Sequence, residues 1–186
     1  MKKVSRSEIV DHVTWADEVR PAVADEVMAA KRARRIGVGP HLTFLFENAL
    51  TIRWQIQEMM RVERIVKESA IQHELDVYNG LLGDDGELGC VLMIEIEERS
   101  LRDRLLREWL RLPWEVYVEL ADGTRITPTF DEQQVGEGKL SSVQYLRFDT
   151  KGQVPVAIGC GLRGCEERTL LSDAAQDALA EDLASA

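Results

Sequence analysis

Apolar residues in the first part of the chain recur at three- and four-residue steps, the spacing that puts them on one face of a helix. The pattern predicts a short helix near Glu8 and a longer one from Asp17, with Pro21 in its first turn, where a proline costs no hydrogen bond. The longer helix ends in the basic run 31–35 and is followed by helix breakers at 37–40. Cations at a helix end complement its negative dipole; an anion or RNA contact is the alternative.

The stretch from 41 to 82 predicts a strand that leads into a hairpin of two helices. Its first residues alternate between two faces, as the residues of a strand do. Asn48 or Thr51 then caps a helix that carries two partly apolar stripes, so we expect protein on two of its sides. A capping-box pattern at Ser69 starts the second helix, and Gly83 ends it.

After the hairpin the pattern favours strands. A strand is predicted at 88–97 and a helix at 98–112, which Pro113 terminates. A two-residue period then predicts further strands at 116–120, 126–130, 143–148 and 153–159. We expect a mobile polar loop at 131–141 and a final amphipathic helix from Ser172.

Helices followed by successive strands predict an α+β fold, in which the N-terminal helices and the central helix hairpin pack on a mainly antiparallel β-sheet. A chain of 186 residues can bury a core as a single domain. We divide this domain into a mainly helical part at 1–83, a mainly β part at 84–171 and a C-terminal helix at 172–186.

The formal net charge of −10 argues against a general nucleic-acid binder, because such a protein needs cations that displace the counterions of phosphate groups. No apolar run approaches the length of a membrane span, and the first residues lack the apolar centre of a signal peptide. We therefore expect a cytoplasmic protein that does not associate with membranes.

Four side chains on the predicted helix hairpin are candidate metal ligands. If the two helices fold back on each other, Glu63 comes near His73 and Glu74. Carboxylate and imidazole ligands suit iron, manganese or zinc. The Glu-x-x-His signature of ferritin-like bundles is absent, however, and polar residues are common at the borders of amphipathic helices. The alternative is a partly buried, hydrogen-bonded cluster of the same four residues, Glu58, Glu63, His73 and Glu74.

The three cysteines are too few, and odd in number, for a disulfide framework, so we expect reduced thiols. Cys160 and Cys165 have a C-x4-C spacing, whereas redox motifs and zinc knuckles usually have two intervening residues. Two glycines between them make the segment flexible enough for the sulfurs to meet. A redox pair or half of a metal site is therefore the alternative to small residues in a loop. Cys90, in an apolar strand, is expected to be a packed residue.

The chain resembles the uncharacterised bacterial domain-of-unknown-function family DUF3501 in the runs FLFEN, QIQEM with ERI, IQHELDVYN, GEL and SVQYLRF. The resemblance extends from about Arg20 to Asp149, and its most specific part is 44–79. Members of that family are often encoded beside rubrerythrin-like and iron–sulfur oxidoreductase genes. The resemblance thus implies a partner in redox or oxidative-stress physiology, and it implies no activity. No catalytic residues of the family exist to transfer, and the segment with Cys160 and Cys165 lies outside its pattern, so a thiol role would be specific to this protein.

Two functional hypotheses follow, and the sequence does not decide whether the protein is an enzyme. The first is an accessory or interaction protein, a homodimer that binds a redox partner through its helical surface or through a sheet edge. The second is a metal-dependent enzyme or metal-binding protein that uses the Glu/His cluster and holds iron, manganese or zinc.

Overall fold

The computed structural model describes residues 2–185. Its α-helices are α1 (His12–Thr14), α2 (Arg20–Arg34), α3 (Ala49–Glu63), α4 (Glu68–Asn79), α5 (Arg99–Glu108), α6 (Leu112–Glu115) and α7 (Asp173–Ala184). Its strands are β1 (Arg35–Val38), β2 (Leu42–Phe46), β3 (Glu87–Ile94), β4 (Val116–Glu119), β5 (Arg125–Ile126), β6 (Val143–Asp149), β7 (Ala157–Cys160) and β8 (Glu167–Leu170). A π-helical turn spans Trp15–Val19, and short 3-10 turns span Arg6–Glu8 and Glu132–Gln134. Within residues 2–185, no helix has the length and apolar character needed to cross a membrane.

The strands form two antiparallel sheets, with the orders β1-β2-β3-β6 and β5-β4-β7-β8. The predicted α+β class and antiparallel pairing are confirmed, but the strands divide over two sheets instead of one. The reason is that β6 returns to β3, where Val91 pairs with Tyr145, whereas β7 joins β4, where Val118 pairs with Ile158. The part at 1–83 also supplies β1 and β2 to the first sheet. Periodicity identifies strands, but the choice of pairing partner depends on residues distant in sequence.

The main hydrophobic core is shared by the two sheets. Phe44, Phe46 and Phe148 enter it from the first sheet, and Val118 and Ile158 enter it from the second. All five side chains are fully buried. Successive residues of a strand point to opposite faces, so the first sheet has a second, outer face. The helix hairpin of α3 and α4 lies against part of this outer face.

The helical chain runs without a break through α1, the π-turn and α2, whereas the sequence predicts two separate helices. In the π-turn the amide of Arg20 donates to the carbonyl of Trp15, five residues earlier. A proline inside an α-helix clashes with the carbonyl four residues before it, which here belongs to Asp17. The π-turn avoids this clash because its hydrogen bonds span five residues. Pro21 therefore lies in the first turn of α2, as predicted, but this turn continues the π-turn instead of starting a separate helix.

The hairpin of α3 and α4 forms as predicted, but α4 ends at Asn79, with Gly80 and not Gly83 as its C-cap. Only one of the two predicted start signals is used. Asn48 caps α3, because its side chain accepts from the Thr51 amide at 3.0 Å, and Thr51 Oγ1 accepts from the Asn48 amide at 2.9 Å. The capping box predicted at Ser69 is wrong, since α4 begins one residue earlier, at Glu68, without a side-chain cap. The chain reverses between the helices through Arg64, which has a left-handed φ of 51°.

A buried ion pair joins α7 to α2. Arg34 and Asp182 are 5% and 4% exposed, and they share two parallel hydrogen bonds, Nε to Oδ2 at 2.7 Å and Nη2 to Oδ1 at 2.9 Å. Arg34 Nη2 also donates to the Ala178 carbonyl at 3.2 Å, and Asn48 Nδ2 donates to Asp182 Oδ1 at 3.0 Å. One carboxylate thus holds together the end of α2, the start of α3 and the last turns of α7.

The substitution Asp182→Ala is expected to lower the free energy of unfolding by about 3–5 kcal/mol, because it leaves the buried guanidinium of Arg34 without its counter-charge. The double variant Arg34→Met/Asp182→Leu removes both charges and should be more stable than the single variant. Urea denaturation followed by circular dichroism measures both. A loss below about 1 kcal/mol for Asp182→Ala, the range of exposed ion pairs, would contradict the structural role assigned here.

Candidate functional site

Glu58, the first of the predicted metal ligands, already accepts hydrogen bonds on both oxygens. Its Oε1 accepts from Trp15 Nε1 at 2.9 Å and from Arg20 Nε at 3.0 Å. Arg61 donates to both oxygens, at 3.0 and 3.1 Å. Partial burial opposes ionisation, but the hydrogen bonds from Arg61, Trp15 and Arg20 outweigh it and lower the pKa of Glu58 to about 2. The carboxylate is therefore the centre of a charged hydrogen-bond cluster with Trp15, Arg20 and Arg61.

The other three predicted ligands do not join Glu58. Glu63 is the last residue of α3 and is exposed, His73 is exposed on α4, and Glu74 is half-buried. Among residues 2–185, no group of three or more His, Cys, Asp or Glu side chains is arranged to hold a metal ion. Metal binding by Glu58, Glu63, His73 and Glu74 stays a prediction, and no contact between them favours it.

The basic side chains of the run 31–35 do not all face the same way, and two of them pair with different acidic residues. Arg34 is buried on Asp182, and Arg35 Nη2 lies 2.8 Å from Glu95 Oε1. Two of its cations are thus used within the fold, and the run does not form a continuous cationic surface. The predicted alternative of an anion or RNA contact gains no support from this arrangement.

Cys160 and Cys165, in contrast, do come together. Cys160 is the last residue of β7 and is 2% exposed, and Cys165 is half-buried in the turn before β8. The Cys165 amide closes this turn by donating to the Leu162 carbonyl at 2.8 Å. The Leu162 amide donates to Cys160 Sγ at 3.4 Å, and the Cys165 thiol lies close enough to the same sulfur to affect its pKa. The apolar pattern predicts no strand after Cys165 and therefore a loop around both cysteines, but β8 pairs with β7 and folds the segment back.

The interaction between the two thiols makes them chemically unequal. The interaction with Cys165 lowers the pKa of the Cys160 thiol, although burial and the carboxylates of Glu115 and Glu166 act in the opposite direction. The pKa of Cys165 is raised, mainly by the interaction with Cys160, and burial adds to this effect. The thiols therefore titrate as a pair, and loss of the first proton leaves one negative charge that belongs to the pair.

A groove of about 370 Å³ gives access to Cys165. Its walls include His41, Trp109, Glu166 and Glu167. The rings of His41 and Trp109 pack with their centroids 6.1 Å apart. The proximity of His41 to Cys165 is not predictable from the sequence, because the two segments meet only in the tertiary fold. The groove lets a second molecule approach Cys165 while Cys160 stays buried.

Replacing Glu58 with Gln is expected to destabilise the fold by about 1–3 kcal/mol, because Trp15, Arg20 and Arg61 then donate to a neutral acceptor. The folded-state pKa of about 2 lies below the ordinary value of 4.5, so the carboxylate stabilises the fold above about pH 4.5. This contribution is lost as the pH falls toward 2.

Urea unfolding of the wild type and of Glu58→Gln at several pH values tests this expectation. The difference between them should shrink from about pH 6 to about pH 3. The exposed control His73→Ala should stay within about 0.5 kcal/mol of the wild type. A difference that is independent of pH would be inconsistent with a charged Glu58 cluster.

Comparisons with known proteins agree with this fold. The family model described as protein of unknown function (DUF3501) matches residues 3–183, a range that includes the Cys160 segment and exceeds the predicted extent of the resemblance. A crystal structure of a novel protein of unknown function from Burkholderia pseudomallei K96243 has a TM-score of 0.88 and 29% sequence identity. The similarity covers 98% of this chain and 100% of that chain. No curated protein matches. This chain belongs to the DUF3501 family of proteins of unknown function.

Proposed function

We propose that this protein is a cytoplasmic accessory protein of redox or oxidative-stress physiology, and that its two thiols exchange disulfides with a partner protein. The observation that carries the proposal is the tight turn that brings Cys165 back to Cys160, beside an open groove that Cys165 lines. Two cysteines at the two ends of one turn can form a disulfide when that turn adjusts to bring their sulfurs within bonding distance. A reducing compartment such as the cytoplasm keeps these thiols free between reactions.

Exchange begins with a thiolate, and the remaining proton of the pair decides which sulfur carries it. The charge of the pair rests mainly on Cys160, which is 2% exposed. Transfer of the proton between the two sulfurs moves this charge to Cys165, the sulfur that lines the groove. Cys165 is therefore the attacking residue, and Cys160 is the residue that resolves the intermediate.

The reaction consumes a disulfide of the partner. The Cys165 thiolate attacks one of its sulfurs, forms a mixed disulfide and releases the other as a thiolate that takes up a proton. The Cys160 sulfur, after losing its proton, then attacks Cys165 and releases the second partner sulfur, which is protonated in turn. Two electrons pass from the protein dithiol to the partner disulfide, so one disulfide and two thiols are formed.

The surroundings of the pair favour a basic partner. Glu166 and Glu167 line the groove, and Glu115 lies close enough to raise the pKa of Cys160. These carboxylates disfavour a thiolate in the free protein, which makes the isolated dithiol slow to react. A partner with lysine or arginine residues around its disulfide would neutralise them on docking. Formation of a homodimer stays a separate prediction.

The reduced wild type, incubated with glutathione disulfide, is expected to form an internal Cys160–Cys165 disulfide. Cys160→Ser should stop at a glutathione mixed disulfide on Cys165, because the resolving sulfur is missing. Cys165→Ser should react slowly, since the remaining Cys160 is 2% exposed. Alkylation with N-ethylmaleimide followed by peptide mass spectrometry distinguishes these products.

The control is Cys90→Ala, which removes a buried thiol whose pKa is raised by its burial. It should form the internal disulfide at the wild-type rate. A wild type that accumulates only glutathionylated Cys165, without an internal disulfide, would refute the dithiol proposal. Faster modification of Cys160 than of Cys165 would reverse the order of attack.

A further inference from the structure

Glu47 is a buried carboxylate with an oxygen that no other group satisfies. It lies between β2 and α3 and is 9% exposed. Among the described residues, Oε2 has no hydrogen-bond partner. Burial raises the pKa of Glu47, and the Thr51 hydroxyl and the charges of Lys31 and Arg34 offset this only in part. Oε2 itself is closed off from solvent, so a molecule in solution reaches Glu47 only through the part of the side chain that remains exposed.

Glu47 is one wall of a pocket of about 380 Å³ on the outer face of the first sheet, which we call the Glu47 pocket. This volume is within the range of sites for small organic ligands. The walls are formed by the sheet, by the hairpin of α3 and α4, and by Lys31 at the end of α2. The backbone at Leu81 closes the end beside Glu47, where it approaches Gly89 so closely that a Cβ there would lie 2.0 Å from the Leu81 carbonyl oxygen.

The floor of the Glu47 pocket is apolar. Strand register places Leu45, Val91 and Tyr145 in one cross-strand row, and Met93 and Val143 in the next. Tyr145 and Val143 remain 48% and 38% exposed, so the pocket opens to solvent over these two side chains. This floor suits the hydrocarbon or aromatic body of a ligand.

The charges around the Glu47 pocket select the polar groups of that ligand. Lys31 and Arg35 line the pocket together with Glu47, and Arg35 is held by Glu95 at 2.8 Å. A simple organic cation would meet Glu47 but would be repelled by the two basic residues. A simple anion would meet Lys31 but would bring no donor to a charged Glu47. A zwitterion satisfies both residues at once.

We propose that the Glu47 pocket binds a small zwitterion with an apolar body, the chemical class of the apolar α-amino acids. The ammonium group donates to Glu47, and the carboxylate of the ligand pairs with Lys31. The apolar body lies on Leu45, Val91 and Met93, with Tyr145 at the mouth. This site is separate from the cysteine pair, and neither proposal depends on the other.

Isothermal titration calorimetry with three aromatic probes tests the chemical class. L-phenylalanine has both charges, phenethylamine has only the ammonium group, and 3-phenylpropionate has only the carboxylate. L-phenylalanine is expected to bind at least about tenfold more tightly than either analogue. L-leucine and L-methionine are titrated as well, so that the shape of the ring does not decide the result. Absence of binding by all three amino acids, or equal binding by 3-phenylpropionate, would overturn the proposal.

Two substitutions test the residues. Glu47→Gln keeps the side-chain shape but removes the charge, and Lys31→Met removes the cation while keeping an apolar stem. Each should weaken L-phenylalanine binding about tenfold or more. The same change made at an exposed position, Glu63→Gln, is the control and should leave binding unchanged. Wild-type affinity in both pocket variants would overturn the assignment.

A third variant keeps the test valid if the buried substitution at Glu47 unfolds the protein. Tyr145→Ala changes a residue at the mouth that is 48% exposed, so the fold should be retained, as checked by circular dichroism. It should weaken L-phenylalanine more than it weakens L-alanine, which lacks the apolar body. Equal loss for both ligands, or no loss for either, would contradict the placement of the apolar body on the sheet.

Discussion

The buried contact between Arg34 and Asp182 determines how the helices and the first sheet are placed. Arg34 ends α2, and the next residue begins β1, so the pair fixes the edge of the sheet against α7. The same carboxylate accepts from Asn48, which directly follows Glu47. A guanidinium and a carboxylate joined by two parallel hydrogen bonds tolerate only one relative orientation. The pair therefore sets the geometry of α2, α3 and α7, even though apolar residues in its place could be equally stabilising.

The two proposed sites are separated along β2. His41, beside the groove at the cysteine pair, directly precedes this strand, and Glu47 directly follows it. A strand of this length spans about 17 Å. The groove receives residues from the second sheet through the turn after β7, whereas the Glu47 pocket uses the outer face of the first sheet. Changes at one site should therefore leave the contacts of the other intact.

Structure that depends on residues close together in sequence could be predicted, whereas contacts between residues distant in sequence could not. The α+β class, the helix hairpin and the Asn48 cap follow from local spacing. The position of Glu58 at a helix border was also predictable, but its donors Trp15 and Arg20 lie 43 and 38 residues away. Glu47 could not be recognised as a site residue from the sequence, because it continues the alternation of β2. Its burial depends on the helix hairpin that folds over it. The approach of Cys165 to Cys160 depends on β8. This short strand could not be predicted, because one of its residues is half-buried, three are exposed, and it has no apolar period.

The π-turn before α2 has a consequence for how relatives of this chain should be aligned. In an α-helix, residues five positions apart point about 140° away from each other. The wider turn instead brings Trp15 and Arg20 to the same side, where both donate to Oε1 of Glu58, at 2.9 and 3.0 Å. A relative that lacks one residue between them would have an ordinary helix there, with the two donors four positions apart, at about 40° and thus still on the same side. The π-turn thus accommodates one additional residue without moving either donor from Glu58, and a one-residue gap at this position in an alignment does not imply that these hydrogen bonds are lost.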